Sequence, residues 1–231
     1  MKKPGSQVTI AMDGPAGSGK STVARRIAEK LGLLYLDSGA MYRAVTLLAI
    51  QEELAADNPK LIDRVKACHI EFTDNGRTIL LDAEDVSKQI RTPAVNRLVA
   101  DVAKIPEIRR EIVKHQQRIG AEGSIIAEGR DLTTIVFPNA DFKFYLDASV
   151  TERAKRRLAD LQAQNIDATL AAVEAEIRER DEKDTTREHS PLRAADDAII
   201  VDTTDKAIED VVDFIAHVCE NKQGRERRRG F

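Results

Sequence analysis

Gly14-Pro15-Ala16-Gly17-Ser18-Gly19-Lys20-Ser21 has the spacing G-x-x-x-x-G-K-[ST]. Glycines at these positions let backbone N–H groups converge on one point, and a helix starting near Lys20 adds its positive end to the same concavity. Such a nest holds a triphosphate. Lys20 would reach the β- and γ-phosphates as a point charge, the Ser21 hydroxyl would join the shell of a magnesium ion, and Thr22 completes the run. An apolar strand before the loop and a helical pattern after it weigh against a chance glycine-rich turn. No N-K-x-D sequence follows to read guanine, and no L-S-G-G-Q transporter signature occurs.

Three arginine-bearing runs supply the second half of a reaction. Asp37-Ser38-Gly39-Ala40-Met41-Tyr42-Arg43 leaves one apolar strand, Glu128-Gly129-Arg130-Asp131 leaves another, and Arg180 to Arg187 closes a charged segment. In a parallel sheet the strands' carboxyl ends share one edge, so the first two runs are expected to face the phosphate loop across a crevice. Planar guanidinium groups there would grip an acceptor phosphate and stabilise charge on the moving phosphoryl group. An acceptor that is already ionised needs no general base, which suits a chain without an obvious catalytic histidine. Arg180 and Arg187, taken alone, also fit solvated ion pairs, and Asp184 could pair with either of them.

These residues need a scaffold. Val8–Met12, Leu33–Leu36, Ile125–Ala127, Phe142–Leu146 and Ala198–Val201 are short apolar runs followed by helical patterns, which predicts an α/β fold with a parallel sheet. Gly32 stops the first helix, and Ser149 with Glu152 forms a capping box for a later one. Residues 39–119 lack a buried strand of this kind. They read as an inserted helical domain with a small hairpin, Ile70–Thr73 and Thr78–Leu81, turned at Asn75-Gly76. Pro59, Pro93 and Pro106 suit first helical turns. Residues 1–38 and 120–231 form the core, about 153–190 make a helical cover, and the basic stretch 223–231 is expected to be disordered.

The chain has 231 residues with 36 basic against 39 acidic, a net charge of −3, so bulk charge does not point to nucleic acid or a membrane surface. Its apolar runs are too short to span a bilayer, and Met1-Lys2-Lys3 has no apolar signal core behind it. Cys68 and Cys219 form no C-x-x-C pair, and the four histidines have no metal-binding spacing. A cytoplasmic monomer acting on small molecules is expected.

The runs GPAGSGKS, DSGAMYR, IRTPAV, EGRD and RDEKDTTR, in this order, closely resemble those of bacterial cytidylate kinases, a nucleoside monophosphate kinase family, from about residue 8 to 220. The resemblance implies a P-loop NTPase-type three-layer fold with a five-stranded parallel sheet, an inserted monophosphate-binding domain and a lid. It also implies ATP-dependent phosphorylation of CMP and dCMP with magnesium. By this likeness Arg43, Arg130 and Arg187 hold the acceptor phosphate, Arg180 and Asp184 lie near the ribose, Arg109, Asp131 and Asp101 read cytosine, and Arg153 and Arg157 approach ATP. The chain departs from the family pattern at Asp101, where Ser is common, at Glu128 for Asp, at Thr133 for Gly and at Lys183 for Arg. Two alternatives remain: a kinase of another small acceptor such as UMP, and a P-loop regulatory protein binding nucleic acid through Arg225, Arg227, Arg228 and Arg229.

Overall fold

The computed structural model describes residues 7–163 and 165–228, with side chains described as far as residue 221. Strands β1 (Thr9–Asp13), β2 (Leu34–Asp37), β6 (Ile125–Gly129), β7 (Phe142–Asp147) and β8 (Ile199–Asp202) form one sheet in the order β2-β6-β1-β7-β8. The pairing of β1 with β7, and of β7 with β8, is parallel. Ile10, Ala11, Met12, Ile125, Ile126, Ala127, Phe144 and Leu146 are almost wholly buried, as continuous apolar strands covered on both faces must be. Each strand lies within two residues of its expected position.

Between β1 and β2 runs α1 (Lys20–Leu31), ended by Gly32 at φ 65°. After β2 comes α2 (Ser38–Gln51), apolar nearly all round and correspondingly buried along most of its length. The Asp37 side chain caps it, accepting from Ala40 N at 2.9 Å. Proline opens each of α3 (Pro59–Ala67), α4 (Pro93–Lys104) and α5 (Pro106–Glu122). The hairpin of β3 (Ile70–Thr73) and β4 (Thr78–Leu81) gains a short third strand, β5 (Glu84–Asp85), which periodicity over two residues cannot reveal. At its turn Gly76 has φ 84°, and a Cβ there would lie 2.0 Å from the Tyr35 carbonyl oxygen. Only glycine fits.

That contact bears on how the chain divides. One compact unit comprises Leu33–Ala127 with the start of the chain as far as Thr9; the other comprises Ile10–Gly32 and the chain from Glu128 onward. Strand β2 and most of β6 thus cluster with the residues expected to form the insertion. Leu34 N donates to Ser124 O at 3.0 Å, which ties β2 to the residue before β6, and Arg118 reaches Ile70 O at 3.1 Å, which ties α5 to the hairpin.

The second unit ends in α6 (Val150–Ala163), α7 (Leu170–Thr186) and α8 (Ile208–Arg228). Ser149 caps α6 through Glu152 N at 3.2 Å, and Thr169 caps α7 through Ala172 N. Ala154, Val173 and Ile177 make a small core between α6 and α7, so this charged segment has an interior of its own. Helix α8 carries the backbone over 223–228, the first part of the stretch expected to be disordered; 229–231 lie outside the described residues.

Candidate active site

Strand β1 ends at Asp13, and the chain turns at Gly14, where φ is 148° and a Cβ would sit 2.0 Å from Leu146 O. Gly17 and Gly19 take φ 79° and 87°, conformations that L side chains rarely adopt. Lys20, the first residue of α1, is 4% exposed and donates through Nζ to Pro15 O at 2.6 Å and to Ser18 Oγ at 3.4 Å. Ser18 Oγ itself donates to Pro15 O at 3.1 Å. Burial and, next, the positive charge of Arg130 lower the Lys20 pKa to about 7; Arg180 acts in the same direction, while Glu128 and Asp13 oppose it. A bound polyphosphate would offset the positive charge that these arginines add at the buried lysine.

Ser21 Oγ donates to Glu128 Oε1 at 2.6 Å, joining the phosphate loop to the end of β6. This is the first of the expected convergences, and it lies at the point of the sheet where β1 is flanked by β6 on one side and β7 on the other. Arg130, two residues on, donates from Nε to Asp184 on α7 at 2.9 Å and from Nη1 to Gly129 O at 3.3 Å. Asp184 thus takes Arg130, not Arg180 or Arg187, as its ion-pair partner. Arg187 donates through Nε to Ser190 O, and Arg180 is exposed on α7. Asp131 is buried at the start of a π-helical turn, Leu132–Val136.

Arg153 and Arg157, both assigned to ATP by resemblance, have different surroundings. Arg157 is exposed on α6. Arg153 is buried and fully engaged: Nε donates to Ala148 O at 2.9 Å, Nη1 to Ala16 O at 3.2 Å, and Nη1 and Nη2 form a two-pronged pair with Asp181 at 3.0 and 2.6 Å. It braces α6, α7 and the phosphate loop. Arg156 adds a second brace, donating to Thr203 O at 2.7 Å and, more weakly, to Gly17 O at 3.4 Å. Asp181→Asn would leave the Arg153 charge buried without its counter-ion, and a loss of about 3 kcal/mol is expected. Urea unfolding measures this, and an unchanged midpoint would show the pair to be idle.

The remaining assigned residues lie in the other unit. Asp37 caps α2 and stands 3.7 Å from Arg91. Ser38 is buried at the first position of that helix, and Arg43, one turn further, donates to Asn96 on α4. Arg109 on α5 is buried, lies 5.4 Å above the Tyr42 ring and donates to Ala103 O at 3.1 Å. Asn96 and Ala103 are seven residues apart and share a face of α4. Asp101 does not lie on that face. Its side chain is 61% exposed, pairs with Lys104 at 3.2 Å, and borders a recess formed with Thr46, Ala49, Ile50 and Leu54 on and just after α2. Arg43 meets Asn96 and Arg109 meets Tyr42, while Asp101 pairs with Lys104.

Sequence reasoning missed Asp13, Asp181 and Asn96. Asp13 had a signal: a carboxylate ending an otherwise apolar strand is a buried charge needing a reason. Asp181 and Asn96 had none, since their partners lie far along the chain.

A strand, a glycine-walled turn over a buried lysine and a helix opening upon it define a P-loop nucleotide-binding protein. The family model described as cytidylate kinase matches residues 10–221. A cytidylate kinase of Carboxydothermus hydrogenoformans is 47% identical over 216 residues, covering 92% of this chain and 97% of its own. One from Streptococcus thermophilus is 48% identical over 212 residues, covering 90% and 94%. The chain belongs to the cytidylate kinase family. A solved structure of an uncharacterized protein from Eubacterium ventriosum matches with a TM-score of 0.53 at 13% identity, over 94% of this chain and 99% of that one, a likeness of fold alone.

Proposed function

We propose that the protein transfers the γ-phosphoryl group of ATP to CMP and dCMP, giving ADP and CDP or dCDP. The observation that carries this reading is the hydrogen bond from Ser21 Oγ to Glu128 Oε1 at 2.6 Å, which sets the phosphate loop beside the strand end that leads into Arg130. Donor and acceptor are both polyanions, and their repulsion must be cancelled before an acceptor oxygen can attack the γ-phosphorus in line as the bond to the ADP oxygen breaks. Gly14 to Thr22 take the triphosphate and Arg157 approaches the donor, while Arg153 acts by holding the loop in place. Arg43, Arg130 and Arg187 bind the acceptor phosphate, with Arg180 and Asp184 at the ribose. Asp184, bonded to Arg130 Nε, orients that guanidinium and leaves outer N–H groups for phosphate.

Ser21 Oγ and Glu128 Oε1 are hard oxygen donors side by side, a set that suits Mg²⁺, an ion that usually keeps several waters and few protein ligands. When bound, magnesium would neutralise charge on the β- and γ-phosphates.

Cytosine offers an amino donor beside ring acceptors, and Asp131 with Arg109 is complementary to it; uracil presents the opposite edge. An acceptor panel of CMP, dCMP, UMP, AMP and GMP assayed for ADP release tests the reading. CMP should exceed UMP by at least about 10³-fold in kcat/KM, and Asp131→Ala should lower that ratio at least about tenfold. UMP turning over as well as CMP would refute the assignment. Among the described residues no helix is long and apolar enough to cross a membrane, and a cytoplasmic monomer fits this small-molecule reaction.

A further inference from the structure

No step of the transfer uses Asp13, although its carboxylate is the most thoroughly buried acid near the phosphate loop, with 0% exposure. Among the described residues no cation bonds to it directly. Its oxygens accept three hydrogen bonds instead: from Leu132 N at 2.9 Å, Thr133 N at 2.7 Å and Thr133 Oγ1 at 2.7 Å. Leu132 and Thr133 open the π-helical turn that follows Arg130 and Asp131, so their N–H groups belong to the set that a helix start leaves unsatisfied. The residue in the capping position is Asp131, a type that usually caps with its own side chain, yet it makes no such bond. Asp13 supplies the cap from another strand.

We infer that Asp13 and Thr133 form a clamp that fixes the Arg130–Asp131 segment against the end of β1. Thr133 is then a positioning residue, and its hydroxyl is the third bond of the clamp. The inference rests on the acceptor roles proposed for Arg130 and Asp131. Asp13 is followed at once by Gly14, where the chain has no room for a side chain, so the clamp ties the donor loop and the acceptor segment to one rigid point. Burial pushes the Asp13 carboxyl above its ordinary range, with Asp131 adding to the rise, and the Thr133 and Leu132 bonds pull it back. Removing the hydroxyl leaves the acid with two donors and the segment free to shift. A misplacement of about 1 Å near reacting groups can cost on the order of 100-fold in rate.

The test is steady-state kinetics of Thr133→Val, Thr133→Gly and Thr133→Ser with CMP, UMP and ATP, beside Asp131→Ala and its double variant with Thr133→Val. Val and Gly should each lower kcat/KM for CMP about tenfold and narrow the CMP preference over UMP, while KM for ATP stays within about twofold. Ser keeps the hydroxyl and should stay within about twofold of the parent in every constant. The narrowing should vanish when Asp131 is already Ala, because the clamp acts on base choice through that residue. Val and Gly variants that match the parent, a Ser variant as impaired as Val, or a loss expressed equally in KM for ATP would each overturn the clamp. An Asp131→Ala enzyme with unaltered base choice would refute the cytosine role instead, and the clamp would then stand or fall on kcat alone.

Discussion

Lys20→Met is expected to lower kcat for ATP and CMP by at least about 10³-fold while making the protein more stable. Met keeps the apolar stem in the cavity that Lys20 fills and removes the charge meant for the β- and γ-phosphates. The stability gain follows from linkage. Lysine titrates near 10.5 in the unfolded chain and near 7 in the folded one, so between these values the unfolded state holds the proton more tightly. Below pH 7 both states are protonated and the folded protein bears the full cost of a confined cation; as pH rises from 7 toward 10.5 that cost fades. The advantage of Met should therefore be largest at or below pH 7 and shrink above it, as thermal melts at pH 6 and pH 9 would show. A triphosphate should restore the lysine charge, so binding near pH 8 should take up a proton. Calorimetry in buffers of unequal ionisation heat would detect this in the parent and not in the Met variant. A Met enzyme that turned over normally, or that melted lower than the parent at pH 6, would remove Lys20 from the role assigned to it.

Arg130→Met is expected to reduce kcat with CMP by roughly 10³-fold, the lower end of what an arginine acting on a transferring phosphoryl group contributes. KM for ATP should change little, since the donor loop keeps its backbone donors and Lys20. The substitution should also act on Lys20 itself: after burial, the Arg130 charge is the largest cause of that lysine's lowered pKa, and its loss should raise the value. Proton uptake on triphosphate binding would then begin at a higher pH than in the parent. A kcat within tenfold of the parent, or uptake at an unchanged pH, would show that Arg130 stands outside the transfer. Asp184 loses its partner in this variant, so Arg130→Lys is the useful companion, retaining charge while giving up the planar fork.

Much of this site was legible in the chain because its parts obey local rules. A phosphate loop is a spacing of glycines and a lysine, and Gly14, Gly17 and Gly19 do adopt the positive φ angles that such a turn demands. Proline-opened helices and the Asn75-Gly76 hairpin are local in the same way. An arginine beside carboxylates looks the same in sequence whether it is a ligand or a brace. Arg153 illustrates this: its sequence neighbours resemble those of Arg157, yet one is buried in a two-pronged pair with Asp181 and the other is exposed. Asp101 illustrates the converse, since a plausible type in a plausible stretch lies off the face of α4 that Arg43 and Arg109 touch.

The amino-acid order by itself determined the strands, the anion-binding turn and the family, since each depends on residues close together or on motifs in series. Tertiary structure alone decided which charges meet across the fold. Arg153 and Asp181 are 28 residues apart, and Asp13 and Thr133 are 120 apart. Desolvation compels every buried ionic group to find a partner, but the chain's course through space selects that partner.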